Sequence, residues 1–176
     1  MTIGLRHLAA VAAIAGATAV FAGAGTASAM PTDFRCTAGQ VDTALLAGDP
    51  GAGQRYAYVQ FTAKPGVSCN FQGALPVALT GADGITVTPV AEDAPLVTIA
   101  DGQSATMLLH WTGIEAPENQ AHPSSVTVTA PGTTDPRGTD SDPRITLPWN
   151  QGPLDNSADA HSLTVGAVTA GAAPVR

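Results

Sequence analysis

Lysine occurs once in the 176 residues, at Lys64, and cysteine only twice, at Cys36 and Cys69. No C-x-x-C pair, no G-x-S-x-G, no S-x-x-K and no H-E-x-x-H is present. Those absences remove the local signatures of zinc sites, α/β-hydrolases, penicillin-binding enzymes and zinc proteases. Once Arg6 is set aside with the leader described below, six basic residues face fourteen acidic ones. That acidic balance argues against nucleic acid and anionic lipid as partners, since either needs a basic face. No window carries a sustained helical period, and no apolar run after residue 32 is long enough to span a bilayer.

What is present begins with an export signal. Arg6 and His7 precede the uncharged run "LAAVAAIAGATAVF", and "TASAM" places Ala27 and Ala29 where a signal peptidase reads small residues. Cleavage after Ala29 is expected, giving a leader over 1–29 and a single domain over 30–176. No cysteine lies at the cleavage point to accept a lipid, so the domain is expected to be secreted, with only contacts to hold it at the envelope. Thiols oxidise outside the cytosol, and a count of two leaves one bridge, Cys36 to Cys69.

Glycine and proline are abundant and spaced among Val, Thr and Ala, which reads as short strands joined by tight turns. Strand signals are "QVDTALL", "RYAYVQFT", "LPVALT", "ITVTPV", "LVTIA", "SATMLLHWT", "SVTVTA", "RITLPW" and "SLTVGAVTA". Period-2 stretches such as "SVTVTA" carry one buried and one wet face, as antiparallel sheets require. The pattern predicts an all-β, immunoglobulin-like antiparallel β-sandwich of about seven to nine strands; a closed barrel is the other architecture it admits. The expected core comprises Val59, Phe61, Val77, Leu79, Ile85, Val87, Val97, Ile99, Met107, Leu109, Trp111, Val126, Val128, Ile145, Leu147 and Val165. In "RYAYVQF" the alternation predicts Phe61 inside and Tyr56 and Tyr58 outside, because only the tyrosines carry a hydroxyl in need of a partner. The segment "PGTTDPRGTDSDPR" is predicted to be an exposed loop.

The succession "GQRYAYVQFT", "SCNFQGALPVAL", "GADG", "VTIADGQSATMLLHW", "VTVTAPG" and "LTVGAVTAG" resembles the actinobacterial secreted family described as domain of unknown function 4232. The likeness covers nearly all of the mature chain, in order. It implies an immunoglobulin-type sandwich outside the cytoplasm and brings no activity or ligand with it. Relatives often carry a lipoprotein signal and a second cysteine pair; here "PENQAHPS" and "LDNSADAHS", the matching regions, hold no cysteine.

Candidate chemistry is sparse. His110, His122 and His161 show no ligand spacing, and Met107 and His110, three residues apart on a strand, should face opposite sides. Asp135, Asp140 and Asp142 lack the spacing and terminal Glu of a calcium loop, and Arg137 and Arg144 are expected to neutralise them. The resulting reading is a non-catalytic binding or structural module with no cofactor and no metal ligands. Its partner is an unidentified envelope or extracellular component, met by the exposed aromatics Tyr56, Tyr58 and Trp149. Two other classes stay open: an extracytoplasmic copper or calcium carrier, and a hydrolase whose site is assembled from distant residues.

Overall fold

The alternation in "RYAYVQFTA" becomes the longest strand among the described residues, β2 (Gln54–Ala63), in which Ala57, Val59, Phe61 and Ala63 are buried and the residues between them are not. The computed structural model describes residues 34–90 and 93–174, which lie within one compact unit, Pro31–Arg176. The leader expected over 1–29 and its cleavage point lie outside the described residues. Before β2 runs β1 (Val41–Ala47), and after it come β3 (Ser68–Phe71), β4 (Val77–Thr80), β5 (Thr86–Pro89) and β6 (Val97–Ala100). The rest are β7 (Ser104–Thr112), β8 (Gln120–Ala121), β9 (Ser125–Thr129), β10 (Arg144–Pro148), β11 (Leu154–Asp155) and β12 (Ser162–Ala170).

Five strands form the larger sheet in the order β1-β2-β7-β12-β5, and three form a second in the order β10-β9-β4. The pairs β3-β6 and β8-β11 complete the fold. The inner face of the large sheet, with Val59, Phe61, Met107, Leu109, Leu163 and Val165, shares one core with Val126 and Val128 of β9 and with Phe71 and Ile99 of β3 and β6. Phe61 meets Phe71 with ring centroids 4.8 Å apart. The sheets keep open edges, so the barrel alternative falls and the sandwich stands.

Three details differ from the expectation. The described residues form twelve strands rather than nine or fewer, because the short β3, β8 and β11 carry too few residues to show a period. One pairing is parallel, β12 with β5, while every other ladder is antiparallel. Val77, Leu79, Ile85, Val87, Ile145 and Leu147 pack against the core but are only partly buried, since they sit on or beside edge strands; Phe71, Leu75, Leu154, Leu163 and Val168 are among the enclosed residues absent from the expected core.

The disulfide joins Cys36 to Cys69, 33 residues apart in the chain. It is flanked by main-chain bonds from Cys36 N to Asn70 O (3.0 Å) and from Asn70 N to Phe34 O (2.9 Å), which lay the chain before β1 alongside β3. Closing a loop of this length stabilises the fold by roughly 3–4 kcal/mol, chiefly by restricting the unfolded chain.

Candidate functional site

Alternation along β2 and β7 sends Gln54, Tyr56, Tyr58 and Gln60, with Thr106, Leu108 and His110, to the outer face of the large sheet. The register sets Tyr56 opposite His110 and Tyr58 opposite both Leu108 on β7 and Leu46 on β1. The rings of Tyr56 and His110 stack, with centroids 4.8 Å apart and planes 17° from parallel. His110 Nε2 is hydrogen-bonded to the side-chain oxygen of Gln54, which fixes the imidazole from its other side. Both tyrosines are therefore half-buried by their neighbours, while Phe61 is wholly enclosed on the opposite face.

The turn after β1 and the chain after β12 wall this face. A Cβ on Gly48 would lie 2.7 Å from Tyr56 Cβ, so only glycine lets the turn come this close to the tyrosine. At the other side, Ala173 N donates to Gln60 Oε1 (2.8 Å), and Ala173 is only 6 % exposed. A bulge in β12 between Val165 and Val168 places its extra residue opposite Leu108 and redirects the strand there. The outcome is a half-open groove of about 260 Å³ lined by Ala47, Gly48, Asp49, Tyr56, Tyr58, Leu108 and Pro174. It offers two phenol groups and one carboxylate above an apolar floor, a lining suited to recognition. It holds no pairing of a nucleophile with a base.

Trp149 does not share this face. β10 turns Ile145 and Leu147 toward the core, and the same period carries Trp149 inward against Trp111, ring centroids 5.0 Å apart. Its indole N–H donates to Gly152 O (2.6 Å), and Trp111 donates to Pro153 O (3.0 Å). The three aromatics proposed as one binding face thus divide: two on the outer side of the large sheet, and one closing the end of the core.

The remaining candidates are dispersed. Met107 is buried, accepting from Leu75 N through its sulfur (3.4 Å), and faces away from His110 as strand geometry demands. His122 is exposed, and His161 bonds Ser157 O through Nδ1 (2.9 Å). Asp135 accepts from the backbone N–H of Arg137 and of Thr139, and Asp140 accepts from Thr134 Oγ1. Asp142 is gripped by Arg144 at 2.8 Å; hydrogen bonds from that side chain and its backbone lower the Asp142 carboxyl pKa to about 2. Of the two arginines expected to neutralise the loop, Arg144 forms an ion pair, and Arg137 joins through its backbone. Among the described residues, no three His, Cys, Asp or Glu side chains gather as metal ligands.

Asp155 escaped the sequence reading altogether. It is 2 % exposed, yet it accepts from Ile114 N (3.0 Å), Glu115 N (2.9 Å) and Gln120 Nε2 (3.4 Å). Burial works against its charge, but the backbone donors of Glu115 and Ile114 and the side chains of Thr112 and Gln120 outweigh it and hold the pKa below the ordinary carboxylate value. Its work is structural: it ties the turn leaving β7 to β11. The stretch "PLDNSADAHS", with two acids and no period, carries no signal that singles it out.

Residues 36–169, most of the chain, match the model of the family described as Domain of unknown function (DUF4232). No curated protein and no solved structure matches the chain.

Proposed function

The chain belongs to that family of unknown function, and from its geometry we propose that it is a non-catalytic binding module acting outside the cytoplasm, which meets its partner through the tyrosine face of the large sheet. The observation that carries this reading is the groove between Tyr56, Tyr58 and Leu108, walled by the Gly48 turn and by Pro174. Half-buried tyrosines, one of them (Tyr56) held by stacking on His110, lose little conformational freedom on binding and offer both apolar area and a hydroxyl, the combination enriched at interface centres. Location outside the cytoplasm is supported by the disulfide, which cytosolic reductants would keep open. A non-catalytic role is supported by how the carboxylates are occupied. Asp101 accepts from Gly66 N, Asp135 from two backbone donors and Asp155 from two more, so each serves a turn.

The test is a Tyr56→Ala, Tyr58→Ala double variant compared with wild type for retention on intact producing cells and on isolated envelope. Retention of the wild-type domain should fall by tenfold or more in the double variant, with an unchanged far-ultraviolet spectrum. Equal retention of both would place the binding surface elsewhere.

A further inference from the structure

Four strands bound the two main sheets: β1 and β5 on the larger, β10 and β4 on the smaller. An exposed edge invites another strand to pair, and three of the four carry the usual defences. β5 has four residues and ends on Pro89; β4 has four and is entered from Pro76; β10 opens on Arg144, locked to Asp142, and closes on Pro148. β1 is longer, and its one charged residue, Asp42, lies 3.9 Å from Lys64 just beyond β2. It runs for seven residues, VDTALLA, with no proline and no basic residue, and its register with β2 is unbroken from Val41↔Ala63 to Ala47↔Ala57. The chain ahead of it is covered by Gly132, but that cover stops at Thr37.

The direction of the free groups follows from the bonds at each end of the strand. Gly48 N donates to Tyr56 O and Lys64 N to Gln40 O, so the even-numbered residues of β1 make the paired bonds with β2. The N–H and C=O groups of Val41, Thr43, Leu45 and Ala47 point away from the sheet.

We propose that β1 is a self-association edge, at which two copies of this chain pair β1 to β1 antiparallel and join their five-stranded sheets into one. A two-fold axis at Ala44 sets Thr43 opposite Leu45 and Val41 opposite Ala47, and it is the register that uses all four outward residues of each copy. The charges then suit a second copy rather than an arbitrary strand. Asp42 falls opposite Leu46 of the second copy instead of another carboxylate, and Ala44 meets Ala44 with only methyl groups. Lys64, whose Nζ lies 2.9 Å from Gly39 O and 3.9 Å from Asp42 of its own chain, keeps that carboxylate neutralised beside the ladder. The axis runs perpendicular to the sheet, so both tyrosine faces lie on the same side of the joined sheet and can bind together. A ladder of seven residues buries less than the roughly 800 Å² per partner of a standard stable interface, so the dimer is weak and depends on concentration.

The test uses the mature chain with its native disulfide intact. Sedimentation equilibrium should show a monomer–dimer equilibrium that Ala44→Lys abolishes by setting two ammonium groups face to face. Ala44 is exposed, so that variant should melt like wild type. At the axis, Ala44 forms a pair without mutual hydrogen bonds, with Cα atoms about 4.5 Å apart, within disulfide reach. Ala44→Cys should therefore yield a covalent dimer on mild oxidation, whereas Leu46→Cys, held away from its own symmetry mate, should not. Three results would overturn the proposal: a monomer at millimolar concentration, a dimer that survives Ala44→Lys, or equal cross-linking at 44 and 46. Binding of a foreign extended peptide to β1 without self-association would overturn it as well.

Discussion

Phe61 and the tyrosines flanking its strand show what one position of sequence phase decides. Phe61 is fully enclosed against Phe71, and removing its ring leaves a cavity that neighbours on two packed sheets cannot close. Phe61→Ala should cost about 3–5 kcal/mol in urea unfolding, whereas the tyrosine double variant should lose less than half as much. A second residue-scale expectation concerns Asp155. Because its folded pKa lies below the unfolded value of about 3.9, its stabilisation is complete above that value and is lost as pH falls through the folded pKa. Asp155→Asn should be destabilised by about 1–3 kcal/mol at neutral pH, since backbone donors then face an amide in place of a carboxylate. The gap to wild type should narrow below pH 4. Unfolding free energies of both proteins between pH 2 and pH 7 check this, and a constant gap would show that the charge of Asp155 contributes nothing.

At the scale of elements, the hairpin between β1 and β2 is closed by Gly51–Gln54, with Gln54 N donating to Gly51 O (2.8 Å). Both central residues have positive φ, +47° at Ala52 and +82° at Gly53. This is the turn that matches strand twist, and alanine is a poor occupant of its first central position. Ala52→Asn, in a side chain that tolerates the left-handed region, should raise stability by about 0.5–1 kcal/mol, read as a rise in melting temperature. The long strands were legible because period-2 alternation needs only a wet face and a dry one, and β2, β7, β9 and β12 have both. β3, β8 and β11 were not. Two residues show no period, and in β11 both Leu154 and Asp155 are buried, the acid by virtue of donors more than thirty residues away. The parallel placement of β5 beside β12 is likewise a fact of topology that no local pattern encodes.

At the scale of the molecule, the sequence disclosed the two-faced strands, the single disulfide and the outward tyrosines, because each follows from local alternation or from counting. It did not disclose the partition of the aromatics. Trp149 is separated from Tyr58 by a whole sheet, a relation set by which strand joins which sheet and invisible along the chain. Nor did it disclose that the segment after β12 returns over the outer face to reach Gln60, so that Pro174 helps wall a groove whose two tyrosines lie more than a hundred positions earlier. The central claim is that this groove face meets the partner. The most direct measurement places a photo-crosslinking phenylalanine analogue at Tyr58 and, as a control, at Thr146, an exposed residue of the smaller sheet, and irradiates each domain on the cells that produce it. The account predicts a discrete adduct from position 58 that excess unlabelled wild-type domain suppresses, and none from position 146. Adducts from position 146 alone would contradict it.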